Sequence, residues 1–169
     1  MIKPQHAFLA LALACLARAA NATDSITAEG MVDAPVAAVW SAWTTSTGLR
    51  AWLAPHAEID LRIDGLMRSN YKASGALGDK DTIVNRVLSY EPQRMLSIRV
   101  AKAPEGFPFP NAVASMWTVL YFDERSPGKT HVRIVGMGFT GDEESQRMRA
   151  AFESGNAYTL GQLQRRFQR

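Results

Sequence analysis

The chain has 169 residues, 47% of them apolar, with 19 lysines and arginines against 16 acids and a single cysteine. A net charge of +3, with no basic cluster on one segment, excludes the strong one-sided positive excess of a nucleic-acid binder. One cysteine excludes an internal disulfide framework and a multi-cysteine metal site.

The chain opens with Lys3 and then an uncharged run over residues 7–17, AFLALALACLA. Eleven residues are too few to span a bilayer, which takes ~20. A short basic start, an apolar centre of this length and the small-x-small site Ala20-Asn21-Ala22 predict a secretory signal peptide over residues 1–22. Cleavage is expected before Thr23, with Ala17-Arg18-Ala19 as a second site. The alternatives are a buried N-terminal helix and lipidation at Cys15 in Leu13-Ala14-Cys15. Lys3, Arg18 and Cys15 leave with the leader. The expected mature domain, residues 23–169, then carries 17 basic against 16 acidic side chains and no cysteine. It is expected in a periplasm or outside the cell, with no stable membrane span.

Residues 26–32 alternate loosely and predict a first strand. Asp33 and Pro35 suit a helix start, and Val36, Val39, Trp40 and Trp43 follow at helical spacing. Thr45 or Ser46 caps a second short helix through Leu49, Trp52 and Leu53, which Pro55 ends. From His56 the period becomes two, and Ala57, Ile59, Leu61 and Ile63 read as the inward side of a strand. Asp64-Gly65 turns it back into residues 66–71. Gly75 to Asp81 is a loop. Residues 82–90 and 95–101 are strands joined by a turn at Glu91-Pro92-Gln93-Arg94. Residues 102–114 hold three prolines and Gly106 and read as a long loop carrying Phe107 and Phe109. Residues 115–122 and 130–137 are strands around a turn at Ser126-Pro127-Gly128. Asp142, Glu143 and Glu144 then open a helix running to Phe167. Its apolar face holds Met148, Phe152, Thr159 and Leu163, widened by Ala151 and Leu160.

Helices gathered on one face of an antiparallel sheet define an α+β layer fold. Several stretches resemble the START-like (SRPBCC) superfamily, and within it proteins similar to the C-terminal domain of the activator of heat-shock protein 90 ATPase. They are Val32-Asp33-Ala34-Pro35 with Val39-Trp40, Trp43-Thr44, LRAWLAP at 49–55, Glu91-Pro92 with Arg94-Met95-Leu96, and FESGNAYTLGQL at 152–163. The likeness covers residues 25–167. It implies a helix-grip fold, a curved antiparallel sheet wrapped around the long C-terminal helix, with a cavity for hydrophobic ligands between them and no cofactor needed. Two departures stand out. Many members have tryptophan where this chain has Asn156, and paired glycines where it has Asp64-Gly65.

The resemblance and the patterning together point to a small hydrophobic or amphipathic molecule, or a lipid, as the partner. Trp52, Trp117, Met148, Phe152, Asn156 and Thr159 are the expected lining, with Phe107 and Phe109 as a lid. Trp40 and Trp43 read as core aromatics. Gly155 implies close packing or space for a ligand, because glycine within a helix costs ~1 kcal/mol relative to alanine. His56 and His131 stand on separate strands without the further ligands a metal site needs, and read as surface residues. No phosphate loop or nucleophile elbow is present. The alternatives are a protein-interaction module of the co-chaperone type and a cofactor-free cyclase or hydrolase built on Asn156 with Tyr71 or Arg86.

Overall fold

The structure is a computed structural model and describes residues 25–168. The leader expected over residues 1–22 lies outside them. Seven strands form one antiparallel sheet: β1 (Ile26–Val32), β2 (His56–Ile59), β3 (Leu66–Asn70), β4 (Ile83–Glu91), β5 (Met95–Lys102), β6 (Trp117–Ser126) and β7 (Lys129–Met137). Their order across the sheet is β1-β7-β6-β5-β4-β3-β2. Sequence neighbours pair by hairpins from β2 to β7. The exception is β1, which crosses to pair with β7, Ile26 against Gly136 and Val32 against Thr130. Two short helices, α1 (Val36–Thr44) and α2 (Ser46–Arg50), make the passage from one edge of the sheet to the other. The long helix α3 (Glu143–Phe167) lies over the sheet, which curves around it as a half-barrel.

Local chemistry explains most boundaries. Thr45 caps α2 by accepting the Gly48 amide, and Asp142 caps α3 by accepting the Ser145 amide. Ser46 Oγ accepts from the Ile59 amide and Arg50 donates to the Ala57 carbonyl, which docks α2 on β2. β2 is shorter than the alternation implied. The chain turns back at Asp60, whose amide bonds to Leu66 O, and Asp64 takes a left-handed φ of 62°. Ala57 is buried and Leu61 still packs against the core, but Ile63, beyond the turn, stands in solvent. At the other edge α3 approaches β1 closely. Gln164 Nε2 donates to Met31 O at 3.0 Å, and a Cβ on Gly30 would stand 2.8 Å from that nitrogen.

Two apolar clusters hold the layers together. The larger joins Val32, Val39, Trp43, Leu49, Leu96, Phe122, Leu160 and Leu163. The smaller joins Ile26, Met116, Phe139 and Met148, with Ala112 and Val113 from a 3-10 turn (Ala112–Ala114). Along α3 the fully buried positions are Ser145 and Met148 near the start and Leu160 and Leu163 near the end. Ala151 is exposed rather than part of the packed face. Gly155 is exposed too, with nothing within 4 Å of where its Cβ would stand. Gly155 therefore serves neither close packing nor the seating of the helix. Leu163→Ala is expected to lower stability by about 2–5 kcal/mol in urea unfolding. Gly155→Ala is expected to raise it by up to ~1 kcal/mol.

Candidate functional site

Between the two clusters α3 presents no fully buried residue for three turns, and there the layers part. The gap is a half-open cavity of about 190 Å³, with the exposed Tyr71 on its rim. Its floor is Met67, Ile98, Leu120 and Ile134 from the sheet. Its roof is Phe152, Asn156 and Thr159 from α3. Trp43 and Leu53 close one end and Val113, Met116 and Trp117 the other. Of the lining expected from the sequence, Trp117, Phe152, Asn156 and Thr159 come together here. Met148 is not among the lining residues; it packs in the smaller cluster with Ile26 and Phe139. Trp52 stands behind the wall. It packs edge-on against Trp43 with ring centres 4.8 Å apart and donates its Nε1 to Ala42 O at 3.0 Å. Trp52 thus fixes the ring that does line the cavity.

Trp43 is the wall residue that the sequence hid. Its spacing with Trp40 marks a core helix face, and it is buried; burial and cavity lining are the same environment seen from two sides. Trp40 remains core, edge-on to Phe122 at 5.6 Å. Ser69 and Tyr71, successive same-side residues at and just beyond the end of β3, were also missed as wall residues, except for Tyr71 in the catalytic alternative. Arg86, the other partner in that alternative, lies away from the cavity and contacts Asp64.

The polar inventory of the wall is small and uncharged. No lysine, arginine, histidine, aspartate or glutamate lines it. Two of its nitrogens, Trp43 Nε1 and Asn156 Nδ2, are buried without a hydrogen-bond partner among the described residues. The surrounding protein pushes the Tyr71 phenol above its ordinary value of 10.0, with Ser69 partly offsetting this and Tyr158 adding to it. Over half of Tyr71 still touches solvent, and water limits the push. The phenol stays protonated at neutral pH. It is a hydrogen-bond group there and not a base.

Phe107 lines this cavity and both shallower hollows beside it. Phe109 packs edge-on against it at 5.6 Å. Their loop is tied down at two points. The Glu105 amide donates to Lys80 O at 2.8 Å. Glu144, in the first turn of α3, accepts from Asn111 N, Asn111 Nδ2 and Ala112 N at 2.9–3.2 Å. Glu144 therefore does more than start a helix: it holds the far end of the Phe107 loop. The opposite rim is held by buried Asn70, which donates to Ala76 O and Asp79 and accepts the Lys72 amide. His56 contacts Ala73 O and His131 faces Glu29, both away from the cavity. Among the described residues no cluster of His, Cys, Asp and Glu could hold a metal ion, and no helix is long and apolar enough to cross a membrane.

The model of one protein family, described as activator of Hsp90 ATPase homolog 1-like protein, matches residues 33–168. The chain belongs to this family. Solved structures agree on the fold of this family member. A protein called MLL2253 from Mesorhizobium loti superposes with a TM-score of 0.63 at 18% identity, over 84% of this chain and 95% of that one. The Aha1 dimer from Colwellia psychrerythraea gives 0.63 at 14% identity, over 85% and 95%. CalU16 from Micromonospora echinospora gives 0.61 at 24% identity, over 85% and 75%. At these identities the likeness shows the helix-grip fold alone. No curated protein sequence matches significantly.

The hydrogen bonds from Asn111 and Ala112 hold the Glu144 carboxyl below its ordinary value of 4.5. A depressed native value means that the tie contributes fully above that ordinary value. It is lost as pH falls through the lower native one. In an NMR titration the Asn111 and Ala112 amide shifts should follow this step with a midpoint below 4.5. Glu144→Gln should abolish the step and raise hydrogen exchange in the Phe107 loop at neutral pH.

Proposed function

We propose that this protein is an exported binding protein for a small hydrophobic or amphipathic molecule, held between the sheet and α3. The observation that carries the reading is the half-open, charge-free cavity between two separate apolar clusters. At 10–15 Å³ for each water-sized group, the space takes on the order of a dozen non-hydrogen atoms. Membership of a family on the helix-grip fold supports the reading, and the leader pattern of residues 1–22 supports export. No acid–base pair lines the cavity, which favours binding over turnover.

A bicyclic ring of tryptophan size buries roughly 200 Å². At ~25 cal/mol per Å² this gains about 5 kcal/mol, a dissociation constant of order 0.1 mM. Apolar burial alone thus gives weak binding, and the few polar groups on the wall set whether binding is useful.

Native mass spectrometry of protein purified from its host should find one organic molecule per chain, released by solvent extraction. Thr159→Phe places a ring in the space from the inward, half-buried side of the helix. It should lose the molecule while the circular dichroism spectrum stays the same. Protein that carries no molecule, together with a wild-type chain that takes up no neutral apolar compound, would remove the proposal.

A further inference from the structure

Trp43 Nε1 and Asn156 Nδ2 offer two donors on one cavity with nothing to receive them. Buried donors are nearly always satisfied, and each exception calls for a partner that is missing from the protein itself. Both side chains are already held. Trp43 is fixed by Trp52, and Asn156 sits in the middle of a helix anchored at both ends. Trp43 cannot turn to find a partner without unpacking its contact with Trp52. A bound ligand that carries an acceptor would supply that partner in place of water.

The remaining polar wall groups fix its charge. Ser69, Asn85, Thr118, Thr159 and the protonated Tyr71 phenol are neutral, and among the described residues no cation lines the space. A carboxylate would satisfy the donors, but it would lose its hydration with no counter-charge to replace it. A carbonyl oxygen accepts two hydrogen bonds at no such cost. We propose that the cavity selects a neutral, carbonyl-bearing apolar molecule, such as an aryl ketone, ester or lactone, whose oxygen is received by Asn156, with Trp43 as a second donor on the same wall. The inference rests on the binding function proposed above and names its ligand class.

Three compounds of nearly one shape separate the possibilities: 2-ethylnaphthalene, 2-acetonaphthone and 2-naphthoate. They share a ring system and differ in carrying no acceptor, a neutral carbonyl or an anion. Calorimetric titration of the full chain should give 2-acetonaphthone about tenfold tighter than 2-ethylnaphthalene, with 2-naphthoate the weakest. In Asn156→Leu, which keeps the bulk and removes the amide, the ketone's advantage over 2-ethylnaphthalene should fall to about twofold or less. Trp43→Phe should reduce the same advantage by removing the N–H. Equal binding of the ketone and the hydrocarbon to the wild-type chain overturns the inference and leaves the binding function standing. Tightest binding by the naphthoate overturns it as well. Binding of none of the three overturns both. The wild-type series decides the matter even where a variant fails to fold.

Discussion

The structure depends on a helix that is seated at its two ends and lifted in the middle. Ser145 and Met148 bury the start of α3, and Leu160 and Leu163 bury its end. From Met148 to Leu160 the helix advances ~18 Å at 1.5 Å per residue. Over that span its inward positions are Phe152, Asn156 and Thr159, none fully buried. The sheet curves away beneath them, and the core divides into two clusters. A leucine at each of those positions would draw the layers together into one core. The sequence places an amide and a hydroxyl there, and the space between the clusters stays open.

The loops that close this space are ordered by polar ties and not by regular secondary structure. Glu144 takes three donors from the end of the Phe107 loop, and Asp79 with Asn70 organises the opposite rim. Hydrogen bonds to a carboxylate are stronger than neutral ones, so a segment with three prolines is held without a strand or helix of its own. The prolines bring preset φ angles and reduce the entropy lost on ordering it. Phe107 is placed between this anchor and the Glu105 tie, which is how a loop keeps an aromatic ring at a cavity mouth and still leaves it near solvent.

The fold was legible because period and punctuation agree along the chain. β1, α1 and α3 fall within a residue of their expected bounds because their apolar spacing is regular; Asp142 caps α3, whereas Pro35 precedes α1 without a side-chain cap and Asp33 pairs with Lys129 instead. β2 was overread because Leu61 and Ile63 continue an alternation that Asp60 and Asp64 interrupt with backbone turns. The site was legible in part. Asn156 was visible because a polar amide interrupts an apolar helix face. Trp43 was not, because cavity walls and cores use the same residue types. Met148 and Trp52 were placed in the lining for that same reason, and only three-dimensional packing moves them behind it. The Glu144 tie could not be read at all: an acid in the first turn of a helix already has a sufficient local reason to be there.

Two orphan donors and an open cavity work against the stability of the empty fold. Each buried, unpaired N–H costs about 1–3 kcal/mol, against a total of only about 5–15 kcal/mol for a domain. Under the binding function proposed above, a chain that retains both has its stability tied to occupancy. Whatever fills the cavity removes the cost of the unpaired groups and adds the burial of its own surface, so the occupied form is the more stable one. Seating α3 at both ends makes this arrangement tolerable. The helix termini and the sheet carry the fold, and the middle turns are left free to be specific.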